Sequence, residues 1–90
     1  MSQETATTTT RPQPPTLVVR CDALRGIVRA RGRMDAVGAE LVAAQVDQLH
    51  LSGHRRIRVE LPPDEDAGAG ALLTAQARRL EAAGVRVTLV

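Results

Sequence analysis

Three consecutive acids, Asp64, Glu65 and Asp66, stand directly before a run of glycine and alanine in PPDEDAGAGALL, residues 62–73. Neighbouring carboxylates do acid and base work when a low-dielectric pocket separates their pKa values. The chain has no aromatic residue to wall such a pocket, and successive acids point in different directions, so catalysis is not expected there. A glycine-rich loop that opens a helix can instead cradle phosphate on its free N–H groups. Here GAG lacks the spacing of a dinucleotide loop, no Gly-Lys-Ser/Thr follows, and the chain contains no lysine to reach a phosphate. The acids would repel an incoming phosphate and complement the helix dipole themselves, each by about 0.3–1 kcal/mol. The stretch therefore reads as a capped helix entry with close backbone packing, or as a protein-binding epitope made of Asp64, Glu65, Asp66, Ala67, Gly68, Ala69 and Gly70.

The other chemically capable side chains are scattered. His50 and His54 flank the end of a predicted helix, where cations are favoured, and two histidines without further ligands do not make a metal site. Cys21 sits in an alternating apolar run and is expected to be a small core residue; Thr74 is a hydroxyl one turn into a helix, expected to be packed or bonded to its own backbone. Arg29, Arg31, Arg33, Arg56 and Arg58 fall on the outward side of alternating strands. They form either a solvated face with cross-strand pairs to Glu60 or a strip for a lipid or an acidic partner.

Totals narrow the classes further. Ninety residues make one small domain. Twelve arginines against ten acids leave a net charge of +2, a mixed surface and no strong pull on a polyanion. With no Phe, Tyr or Trp, a nucleic-acid module of the base-stacking kind is not expected. The single cysteine rules out an internal disulfide, and no apolar run reaches membrane-spanning length, so a cytoplasmic protein without direct membrane insertion is expected.

The elements that must position these groups are legible in the pattern. Residues 1–15 are a Thr/Pro-rich tail with little to bury, expected to be disordered; residues 16–90 form the domain. TLVVRC and GIVRARGRM alternate as two strands joined by a short turn, DALR, and make an antiparallel hairpin. Asp35 caps a helix in which Ala39, Val42, Val46 and Leu49 recur at helical spacing, and Gly53 ends it. RRIRVEL is a strand with Ile57, Val59 and Leu61 inward. A second helix carries Leu72, Leu73, Ala77 and Leu80 on one stripe and stops at Gly84, and VRVTLV is a last strand. Right-handed crossovers then predict an α/β fold, β-β-α-β-α-β, with a four-stranded mixed sheet and both helices on one face.

Three segments carry a resemblance to a family. GRMDAVGAEL is similar to the strand-to-helix segment G-x-L-D-A-x-x-A-x-x-L of STAS domains, with Met34, Asp35 and Ala39 in register; RRIRVEL stands where that family has its central strand, Glu60-Leu61 replacing an Asp-Leu pair; EDAGAGALL is similar to D-S-S-G-L-G-A-L-L, matching at Gly68, Gly70, Ala71, Leu72 and Leu73. The order and spacing of the three cover about residues 16–90. The resemblance implies a non-enzymatic, cofactor-free bacterial domain that binds an anti-sigma factor or a similar regulatory protein. An accessory subunit of a membrane transport complex is the alternative.

Two departures from the family matter. The serine that anti-sigma kinases phosphorylate in the family's antagonists corresponds to Ala67, and the serine before it to Asp66. Alanine has no hydroxyl, so no phosphosite is expected there and the usual switch cannot operate. Ala67 then locks the domain in its binding state, or Asp66 holds charge near the phosphate's place and mimics release. A carboxylate carries less charge and leaves the turn on a different side, which favours the first. The chain also stops after the fourth strand, where the family continues into another helix, and an apolar patch left there would favour a homodimer.

Overall fold

The computed structural model describes residues 17–63 and 66–90; the tail call on residues 1–15 and the acids Asp64 and Glu65 lie outside the described residues. The elements follow the predicted order: β1 (Leu17–Asp22), β2 (Ile27–Gly32), α1 (Ala36–Leu51), β3 (Arg56–Glu60), α2 (Ala67–Ala82) and β4 (Arg86–Leu89). They build one four-stranded sheet in the order β1-β2-β3-β4, with β1 and β2 antiparallel and the remaining pairs parallel. A short turn can only return a strand antiparallel, whereas each helical crossover carries the chain back to start a parallel neighbour.

The hairpin turn is fixed by side-chain chemistry. Asp22 Oδ1 accepts from the backbone N–H of Leu24 at 3.2 Å and of Arg25 at 3.1 Å, closing an Asx-type turn. Gly26 completes it at φ 71°, and an added Cβ there would lie 2.9 Å from Arg56 O. From the far side, His54 Nε2 donates to Ala23 O at 2.6 Å. A carbonyl only accepts, so this bond puts the proton on Nε2.

Burial alternates along the strands as a sheet covered on one face requires. Val28, Ala30, Ile57, Val59 and Val87 are buried beneath Ala39, Val42, Val46 and Leu49 of α1 and Ala69, Leu73, Ala77 and Leu80 of α2. Leu61 and Leu72 are half-buried at the margin of this core. Both helices lie on the one apolar face, as consecutive right-handed crossovers moving in one direction across a sheet demand.

Two residues depart from the apolar pattern of the elements. Cys21 is exposed, not a core residue. Its position in the register places it on the helix side, but β1 is an edge strand whose neighbours on that side, Leu17 and Val19, are only half-buried, and the helical cover ends before Cys21. Gln76, which no apolar pattern selects, is 2% exposed. Its Nε2 donates to Ala43 O at 2.8 Å and to Asp47 Oδ1 at 3.1 Å, tying α2 to α1. A buried amide with these partners meets the general demand that buried polar groups be bonded.

Candidate functional site

Because β2 and β3 run parallel, α1 and α2 both begin at the carboxyl ends of their strands, the end of an open α/β sheet where ligands and partners commonly dock. The two helix entries touch: Asp66 N–H donates to Met34 O at 3.1 Å. Each entry is closed by an aspartate. Asp35 Oδ1 accepts from Gly38 N–H at 2.8 Å, and Asp66 Oδ1 accepts from Ala69 N–H at 2.8 Å. Such a cap contributes about 1 kcal/mol relative to alanine, plus a few tenths from the dipole. Extended backbone at both caps turns the chain from strand end into helix.

The predicted epitope separates by residue. Asp66, Ala67 and Gly68 are exposed, Gly70 is half-buried, and Ala69 is fully buried against the core, where it offers nothing to a partner. Asp64 and Glu65 lie outside the described residues. Close packing at Gly68 is not found: an added Cβ would meet Asp66 Oδ1 at 3.5 Å, an ordinary contact. The tight approach falls at Gly38 instead, where a Cβ would sit 2.7 Å from Leu17 Cδ2. Beside the α2 entry runs a groove of about 430 Å³, lined by Leu61, Pro62, Pro63, Gly70, Thr74 and Leu89 among others. Thr74 is exposed there, not packed inside.

The outer surface of α1 adds what the apolar pattern of its core stripe conceals. Val37, Leu41, Ala44, Gln48 and Leu51 are spaced four and three residues apart and share one exposed helical face. Val37 keeps 68% and Leu41 58% of its surface open to solvent. Large aliphatic side chains one turn apart at a helix entry are costly to leave in water, by roughly 25 cal/mol per Å² of apolar area.

On the opposite side of the sheet the predicted pairs to Glu60 are present. Arg29 Nε donates to Glu60 Oε1 at 3.0 Å across the β2–β3 ladder, and Arg58 Nε to Glu60 Oε2 at 3.1 Å along β3. Partial desolvation of Glu60 raises its pKa, but the hydrogen bonds and charges of Arg29 and Arg58 outweigh that and hold the carboxyl below the usual range. His50 and His54 do not converge with acids or Cys21: among the described residues no cluster of three His, Cys, Asp or Glu is placed to hold a metal ion. Among the same residues no helix is long and apolar enough to cross a membrane.

No protein-family model matches the chain, and no curated protein or solved structure matches it.

Proposed function

We propose that this chain is a non-enzymatic regulatory domain of the STAS type, similar to an anti-sigma factor antagonist, that binds its partner through the α2 entry at Asp66, Ala67 and Gly68 and the exposed face of α1. The observation that carries this reading is the pair Val37 and Leu41, large apolar side chains left open on α1 at the end of the sheet where α2 also begins. An apolar helical face rimmed by polar residues marks a protein contact more often than a solvated surface. The element order supports the family reading, as do the places taken by the three resembling segments. Met34 and Asp35 enter α1, Glu60 and Leu61 end β3, and Gly68 opens α2.

Ala67 is the first residue of α2 and is exposed. A phosphate added there would bring two negative charges into the docking surface, and alanine cannot receive one. The domain on this reading is a constitutive binder.

The test is a titration of the purified chain against kinase-like anti-sigma factors, with and without ATP. Binding unaffected by ATP is expected, with a loss of at least about tenfold in affinity for Ala67→Glu and for Leu41→Glu. An acid at the first helical position favours the dipole, so Ala67→Glu keeps the fold. Wild-type affinity in both variants, or release by ATP, refutes the proposal.

A further inference from the structure

The face of the sheet turned away from the helices is an arginine surface. The register puts Val18, Arg20 and Asp22 of β1, Ile27, Arg29 and Arg31 of β2, Arg56, Arg58 and Glu60 of β3, and Arg86 and Thr88 of β4 on that side. Among the described residues, six arginines thus face two acids on this side, although the whole chain carries only +2. Asp22 is committed to the hairpin turn, and Glu60 is shared by Arg29 and Arg58.

The pairing is what makes the face unusual. Arg20 stands directly opposite Arg29, and Arg56 directly opposite Arg86. Like charges in opposed positions of a ladder destabilise a sheet. Arg56 and Arg86 have no ion pair or side-chain hydrogen bond among the described residues. Together with Arg25, Arg58, Ile27 and Thr88 they line a shallow groove of about 350 Å³ that no acid lines among the described residues.

Glu60 shows what fits such a place. One carboxylate reaches guanidinium groups on two neighbouring strands, one oxygen to each. Arg56 and Arg86 likewise bring guanidinium groups together from neighbouring strands, directly opposite in register where Arg29 and Arg58 are diagonal, and no carboxylate among the described residues pairs with either. We propose that this open sheet face is a second docking surface, which binds an acidic protein segment whose carboxylates seat between Arg56 and Arg86 as Glu60 seats between Arg29 and Arg58.

Other occupants fit less well. The face has no aromatic residue for base stacking, and Val18 and Ile27 are too little apolar surface to enter a bilayer. A second copy presenting the same face would oppose like charges. Residues 1–15 hold one acid, Glu4, and one arginine, Arg11, so the chain's own start carries no excess negative charge to offer.

The probe is a labelled short peptide alternating glutamate and serine, with its glutamine counterpart, followed by fluorescence anisotropy in rising salt. A short DNA duplex and phosphatidylserine vesicles are measured beside it. The glutamate peptide is expected to bind saturably, to weaken with salt, and to lose at least about tenfold in affinity for the double variant Arg56→Glu/Arg86→Glu. Arg78→Glu/Arg79→Glu makes the same charge change on the exposed side of α2 and should stay within about twofold of wild type. Far-UV circular dichroism verifies that both variants are folded. The proposal is overturned if the glutamate peptide does not bind, if the α2 variant loses as much, if duplex or vesicles bind more tightly, or if the chain alone self-associates in a salt-sensitive way. None of these results bears on the α2 entry, which is read with Ala67→Glu against a different partner.

Discussion

Replacing Gln76 with alanine removes the one polar side chain buried among the described residues, and with it the bridge from α2 to α1. The bond to Ala43 O is neutral and contributes about 1 kcal/mol. The bond to Asp47 Oδ1 is charge-assisted, but Asp47 is exposed and regains water when the amide leaves, so about 1 kcal/mol is the fitting figure there as well. Truncation also loses one buried methylene, at roughly 0.8 kcal/mol, and leaves a cavity that costs about 1 kcal/mol, while the rotamer entropy lost in fixing the Gln76 side chain, about 1.5–2 kcal/mol, is no longer lost. The net loss for Gln76→Ala is about 2 kcal/mol, which for a domain of this size lowers the midpoint by roughly 8–16 °C. Gln76→Met keeps the volume and avoids burying an amide, so its cost is about 1 kcal/mol or less. Urea unfolding followed by far-UV circular dichroism reads both, since a chain without aromatic residues has no intrinsic fluorescence to follow. A double-mutant cycle with Asp47→Ala should give a coupling of about 0.5–1 kcal/mol. A cost below about 0.5 kcal/mol for Gln76→Ala, or no coupling to Asp47, would refute the bridge and the interhelix placement argued from it.

Two further outcomes test other parts of the fold. Gly26→Ala places a Cβ 2.9 Å from a backbone oxygen at φ 71°, whereas Gly53→Ala at φ 100° meets nothing within 4 Å; the first should cost at least about 1 kcal/mol more in urea unfolding, and equal costs would show that the turn yields freely. Glu60 has its folded pKa depressed, so its contribution is present above about pH 4.5 and is lost as pH falls through the folded value. Stability should therefore decline less steeply below that pH in Glu60→Gln than in the wild type, and parallel declines would remove the two-arginine clamp from consideration.

Much of this architecture is legible from local chemistry alone. Asp35 and Asp66 cap the helices that follow them, and the alternation of Ile57 and Val59 with Arg56 and Arg58 separates a covered face from an open one. Periodicity finds these because a strand or a helix imposes its own repeat on whatever must be buried. It fails for Cys21, whose parity is correct and whose exposure depends on how far α1 extends over an edge strand. It fails for Gln76 too, since an amide enters the core only when a neighbouring helix presents a carbonyl and a carboxylate to it.

The candidate surfaces divide in the same way. The helix entry at Asp66 and Ala67 is written in consecutive residues, because capping acts over three or four positions of one chain. The arginine face is not. Its outward residues on β2 and β3 can be read from alternation, but Arg20 joins them only through the β1–β2 register, and Arg86 only because the α2 crossover brings β4 beside β3. The amino-acid sequence by itself determined which side of each strand would be wet and where each helix would start. Only the tertiary structure decided which residues on those wet sides stand opposite one another, because strand register joins residues far apart in the chain and no local pattern encodes that pairing.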